Sequence, residues 1–184
     1  LSLSLSLSLS LSLSPSLCVI AGTRGAKEER DRLLELVRKH CTTEGERTIF
    51  EAFVTFNTSI LKTNFYKPSK RAISFRLEPS ILASASFAEQ PFGVFMVIGA
   101  EFRGFHVRFR DIARGGIRLI RSRYPQAFND NVSALFDECF NLASTQQRKN
   151  KDIPEGGSKG VILLGWEYQD KGTTAFRKYI DALL

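Results

Sequence analysis

The chain is poor in the residues that build metal and redox centres. Its 184 residues include three cysteines, Cys18, Cys41 and Cys139, and two histidines, with no CxxC pair among them. That set is too sparse for a zinc site or a disulfide scaffold, and it suits a reducing compartment. No apolar run approaches the roughly 20 residues that a membrane-spanning helix needs. No GxGxxG occurs, so the glycine turn that cradles a dinucleotide is missing from these residues. The formal charge is +7. No run of five like charges accompanies it, so the scattered cations read as a solvated surface and not as a nucleic-acid footprint.

What is present supports a folded domain. Hydrophobic residues make up 43% of the chain and Phe alone occurs 15 times, enough for a real core. The exception is the N-terminus, where residues 1–14 alternate strictly between Leu and Ser. Period two suits a strand, but seven identical repeats specify no register. Residues 1–22 are therefore read as a low-complexity tail, disordered or artefactual. The first residue is Leu and the only Met is Met96, and both ends read as truncated.

Hydrophobic spacing then divides the chain. Residues 23–66 read as a helical segment. Leu33, Leu34 and Val37 form one apolar stripe, and Thr43 with Glu46 has capping-box spacing. Ile49, Phe53, Phe56 and Ile60 recur at helical spacing, and the Phe residues at 50, 53 and 56 read as core packing. From residue 67 to 184 the pattern mixes strands with helices. Residues 71–77 alternate. Residues 92–99 are almost wholly apolar. Phe105, Val107 and Phe109 alternate with His106, Arg108 and Arg110, giving one greasy and one cationic face. A helix is expected from Tyr124 to about Arg148, buried through Phe128, Val132, Leu135, Cys139 and Leu142. Residues 152–158 read as a loop whose glycines permit positive φ. A buried strand follows at 161–164, and a last helix from about Thr173. The expectation is an α/β fold with a mixed sheet flanked by helices, behind an N-terminal helical segment.

Three constellations carry chemistry. Arg114-Gly115-Gly116-Ile117-Arg118 puts a guanidinium at a strand end, where it can grip a carboxylate; a structural bulge with solvated arginines fits equally well. Gln146 and Lys149 lie three apart near a helix end, hence on one face. An amide donor beside an ammonium suits an α-carboxylate, although cations also simply favour a helix C-terminus. Finally, Pro154-Glu155-Gly156-Gly157-Ser158-Lys159-Gly160 is not a phosphate loop, because Gly160 stands where a hydroxyl is required. It is better described as a glycine turn that aims Lys159. Crowding by Arg114 and Lys149 would lower the pKa of that lysine and fit it for base catalysis. His106 reads as a satisfied histidine and Cys139 as an inert buried thiol.

In this order, Arg-Gly-Gly-Ile-Arg, Gln-x-x-Lys-Asn and Pro-x-Gly-Gly-x-Lys-Gly resemble the substrate domain of the glutamate, leucine, phenylalanine and valine dehydrogenase superfamily. The wording of residues 113–118 and 149–160 resembles its large, fungal-type NAD-specific glutamate dehydrogenases, from about Thr48 to Leu184. The resemblance implies Lys159 as catalytic lysine, activating water against an imine. It implies Arg114, with Gly115 and Gly116, on the side-chain carboxylate, and Gln146 with Lys149 on the α-carboxylate. Lys151, in a loop shorter than in compact members, competes for the Lys149 role. The implied reaction converts L-glutamate, NAD and water to 2-oxoglutarate, ammonia and NADH. NAD would be bound by a downstream domain absent from this chain, leaving a fragment inactive alone. No nucleic acid or membrane is implied; a homo-oligomer in the full-length protein is, in cytoplasm or mitochondrion. The rival expectation is a non-catalytic module that binds a dicarboxylate or serves an oligomer contact.

Overall fold

A computed structural model describes residues 26–82, 89–110, 112–153 and 155–184. The Leu-Ser tail at 1–22 and Pro154 lie outside the described residues. Two compact units divide at Leu61/Lys62.

The first unit contains helices α1 (Ala26–His40) and α2 (Glu44–Thr58). The expected capping box is present: Glu46 N–H donates to Thr43 Oγ1, and Glu46 Oε2 accepts from Thr43 N–H. Leu33 and Val37 of α1 pack on Val54 of α2, with Phe50 alongside. The inward stripe of α2 is therefore 50 and 54, and the expected stripe is one residue out of phase. Ile49 and Phe53, also four apart, stand about 100° further round and are 57% and 60% exposed. Ile60 was expected to continue the helix. Instead α2 ends at Thr58, with Ser59 as its C-cap, and Ile60 opens strand β1 (Ile60–Thr63).

The remaining strands are β2 (Ile73–Leu77), β3 (Gly93–Ile98), β4 (Phe102–Arg108), β5 (Ala113–Arg114), β6 (Ile117–Ile120) and β7 (Gly156–Leu164). Helix α3 (Pro125–Arg148) precedes β7 and helix α4 (Gly172–Leu183) follows it. The sheet has seven strands in the order β1-β2-β3-β4-β7-β5, with β6 also paired to β7. β2, β3, β4 and β7 are antiparallel neighbours, whereas β5 and β6 run parallel to β7. This is the mixed α/β sheet expected from the sequence.

β7 is the hub. Successive side chains leave opposite faces of a strand, and here both faces are dry. Val161 and Leu163 pack with Val107, Phe109, Leu135, Cys139, Phe140 and Ala143 under α3. Ile162 and Leu164 pack with Val97, Phe102, Ala175 and Tyr179 under α4. Burial of both faces explains the unbroken apolar run at 161–164. It also shifts the buried stripe of α3: Val132, expected inside, is 45% exposed, while Phe140 and Ala143 face the sheet.

The glycine turn is the main correction. Gly156, Gly157 and Ser158 were expected in a loop, but they form the first third of β7. None of the described glycines has φ in the left-handed range. Their lack of a side chain, and not their conformational freedom, is what the fold uses. A Cβ on Gly157 would stand 2.1 Å from Ala143 O and 2.5 Å from Gln147 N, so the end of α3 lies directly on β7 there.

Candidate active site

Lys159 stands in β7 opposite Val107 of β4. The alternation puts its side chain on the same side as Val161, toward α3. The site around it is built by close backbone contact. β5 and β6 flank β7 in register Ala113↔Gly156, Arg114↔Gly157 and Ile117↔Gly160. Gly115 and Gly116 link them, and they cross β7 at Ser158 and Lys159. A Cβ on Gly115 would fall 1.3 Å from Ser158 O, which only glycine permits. At Gly116 a Cβ would stand 3.9 Å from Lys159 Nζ. Gly160 N–H donates to Gly116 O at 3.1 Å. The two glycines of Arg-Gly-Gly-Ile-Arg and the lysine of Gly-Gly-x-Lys-Gly thus belong to one surface.

The other predicted residues occupy two further places. Arg114 is 66% exposed, and its Nε lies 3.0 Å from Glu155 Oε2. Gln146 and Lys149 share an open hollow with Asn141, Ser144, Thr145 and Arg148, all from α3 and its C-cap. Neither Arg114 nor Lys159 lines that hollow. Lys151 Nζ donates to Glu155 O at 2.8 Å, so its ammonium is committed to the turn before β7. Lys149 is exposed.

Sequence reasoning missed Gln147. Its Oε1 accepts a 2.6 Å hydrogen bond from Gly157 N–H. That bond ties the last turn of α3 to the strand that carries Lys159. A signal was available: Leu135, Cys139, Ala143 and Gln147 recur every four residues, along the buried stripe of α3.

The opposite face of β7 is held by a polar cluster. His106 Nε2 lies 2.8 Å from Ser158 Oγ, and His106 Nδ1 lies 3.1 Å from Tyr179 Oη. Tyr179 Oη donates to Phe105 O at 2.9 Å. Because the phenol proton is committed there, the imidazole must supply the proton at Nδ1, and Ser158 donates to Nε2. The histidine is satisfied at both nitrogens in its neutral form. Burial, with a smaller contribution from Arg108, holds its pKa below the ordinary value. A Cβ on Gly160 would stand 2.6 Å from Tyr179 Oη and 3.0 Å from His106 Nδ1. The glycine after Lys159 therefore makes room for this cluster. Cys139 Sγ donates to Lys159 O at 3.4 Å, and burial pushes the thiol up to about 12, as befits an unreactive cysteine.

This geometry is that of a lysine set on a glycine-lined strand. The family described as "Bacterial NAD-glutamate dehydrogenase, catalytic domain" matches residues 33–184.

The chain belongs to that family.

Over 152 residues it is 57% identical to the "Probable NAD-specific glutamate dehydrogenase" of Schizosaccharomyces pombe, covering 83% of this chain and 14% of that protein. It is 55% identical over 152 residues to "Glutamate dehydrogenase 2" of Dictyostelium discoideum, and 55% identical over 153 residues to the "NAD-specific glutamate dehydrogenase" of Neurospora crassa. Each match covers 83% of this chain and 15% of the relative. The chain thus spans about one seventh of the length of these relatives.

The family description and two of the relatives' names imply NAD. A dinucleotide's pyrophosphate sits where a glycine turn leads from a strand into a helix N-terminus. Here Gly115-Gly116 leads into strand β6 and Gly156-Gly157 lies within strand β7. Backbone fills the space at Gly115, Gly156 and Gly157, and Gly116 opens only on the Lys159 ammonium, so the four glycines do not fit that role. No residue of this chain is assigned to the cofactor. Among the described residues no helix is long and apolar enough to cross a membrane.

Proposed function

We propose that this chain provides the substrate-binding part of an NAD-dependent glutamate dehydrogenase, which deaminates L-glutamate oxidatively to 2-oxoglutarate and ammonia. The observation that carries the reading is the seat of Lys159. Its ammonium stands beside Gly116, where no side chain keeps a ligand away. In this role Lys159 takes a proton from the water that adds to the imine carbon of the deaminating substrate. Arg114 holds the side-chain carboxylate, and Gly115 and Gly116 allow close approach. Gln146 and Lys149 hold the α-carboxylate. With Lys151 engaged in the turn, Lys149 is the better supported of the two lysines. NAD is bound outside the residues described, and the full-length enzyme is a homo-oligomer of the cytoplasm or mitochondrion.

The names of the relatives favour this reading over a non-catalytic dicarboxylate-binding or oligomer-contact module. The test is Lys159→Ala in an enzyme that carries this segment, followed by glutamate-dependent NADH absorbance. General base catalysis contributes about 10²- to 10⁴-fold, and a loss of that size in kcat is expected. Turnover unchanged in a folded variant rejects the role.

A further inference from the structure

The Arg114–Glu155 contact is close but poorly aligned. Glu155 Oε2 is 3.0 Å from Arg114 Nε, and the Glu155 side chain is only 20% exposed. Yet the buried Oε2 makes no hydrogen bond. The contact is one of charge without an aligned donor, so Glu155 is placed well but held weakly. Its main chain is fixed, by Lys151 Nζ on its carbonyl and by the pairing of the next two residues with Ala113 and Arg114. Its side chain is chemically the side chain of glutamate: a carboxylate on two methylenes. It reaches the same guanidinium that the proposed function gives to a ligand's distal carboxylate.

We infer that Glu155 is an internal counter-anion on Arg114, one that a dicarboxylate ligand displaces and a monocarboxylate cannot. The inference rests on the proposed function only for the role of Arg114. Before a ligand arrives, Glu155 neutralises the guanidinium. A ligand's distal carboxylate replaces it and Glu155 turns to water, where its unmet oxygen is solvated. A ligand without that carboxylate leaves the pair closed and gains nothing from Arg114. Glu155 is thus a specificity residue whose cost is a lower apparent affinity for the correct ligand.

The test is titration calorimetry of the 184-residue chain at low salt, with 2-oxoglutarate and with 2-oxobutanoate, which lacks the distal carboxylate. Glu155→Gln keeps shape and removes charge. Because the Arg114 end is largely open to solvent, the pair counts as a surface one, worth about 1.4- to 5-fold in an equilibrium constant. Glu155→Gln should tighten 2-oxoglutarate by that factor, leave 2-oxobutanoate unchanged, and lose its advantage in 1 M salt. Equal or weaker binding of 2-oxoglutarate by Glu155→Gln overturns the inference. Arg114→Gln separates it from the parent reading. If Arg114→Gln binds 2-oxoglutarate as well as the native chain, the assigned role of Arg114 fails. If Arg114→Gln weakens binding and Glu155→Gln does not tighten it, only the counter-anion fails. No saturable heat from any of the three chains overturns both.

Discussion

Adjacent glycines with opposite surroundings give a sharp test of the site's architecture. Gly115→Ala would put a methyl 1.3 Å from Ser158 O, a separation of covalent size. The obstacle is backbone in a strand buried between two helices, so no rotamer change relieves it. The β5–β6 link must lift off β7 by roughly 2 Å to restore a normal contact near 3.4 Å. Such a movement breaks the bond from Gly160 N–H to Gly116 O at 3.1 Å and, by pulling β5 with it, strains the bond from Gly156 N–H to Ile112 O at 2.7 Å. At about 0.5–1.5 kcal/mol each, with overpacking strain of about 1–3 kcal/mol, the expected loss is about 2–6 kcal/mol. Gly116→Ala meets only Lys159 Nζ at 3.9 Å, an ordinary contact, and its φ is not left-handed. Reduced freedom of the unfolded chain should leave that variant neutral or stabilised by about 0.4–1 kcal/mol. Its methyl, however, occupies the floor beside the ammonium, so ligand binding should weaken. Urea denaturation by circular dichroism measures both midpoints. Equal midpoints for the two variants, or a native midpoint for Gly115→Ala, would refute the close crossing of β7.

Other consequences follow from the two sides of β7. Tyr179→Phe removes the phenol that satisfies His106 Nδ1 and Phe105 O; leaving a buried donor unpaired costs about 1–3 kcal/mol, read as a lower urea midpoint. The unfolded histidine titrates near pH 6.5, while the folded one is held lower by burial. The unfolded state therefore binds the proton first as pH falls. Stability present above about pH 6.5 should decline toward the folded pKa, by at most about 1.4 kcal/mol per pH unit. His106→Gln should flatten that slope in a denaturation series from pH 7.5 to 5. Gln147→Ala orphans Gly157 N–H and should cost about 1–3 kcal/mol. Gln146→Ala, in an open hollow, should change stability by less than about 0.5 kcal/mol.

The parts of the fold legible in the sequence were those with one dominant signal. The capping box at Thr43 and Glu46 is local chemistry and was read to the residue. The mixed sheet followed from an alternating run beside a wholly apolar one. The misreadings came where tertiary contact decides between neighbouring phases. In α2, stripes 49/53 and 50/54 are both apolar, and only the position of α1 selects the second. At Gly156 and Gly157 the composition of a turn conceals a strand, because close approach of α3, Arg110 and Ala113 demands glycine as strictly as positive φ would. Motif spacing points to Gln146, whereas only the four-residue repeat of α3 aims Gln147 at the sheet.

One strand therefore does two jobs, and its composition changes where the job changes. From Val161 to Leu164 every side chain is apolar and buried, so this half fixes β7 between α3 and α4. From Gly156 to Gly160 the only side chains are those of Ser158 and Lys159. One turns back into His106, and the other extends toward Gly116. Glycine at the remaining three positions lets the Arg110 carbonyl, α3 and the Tyr179 hydroxyl press directly on backbone. A lysine has four rotatable methylenes and is hard to aim through its own side chain. Fixing its main chain from both sides, with Cys139 and Gln147 on one and the His106 cluster on the other, is how a fold can set its direction. By this argument, damage to either support should reach Lys159 through backbone, lowering turnover more than it weakens ligand binding.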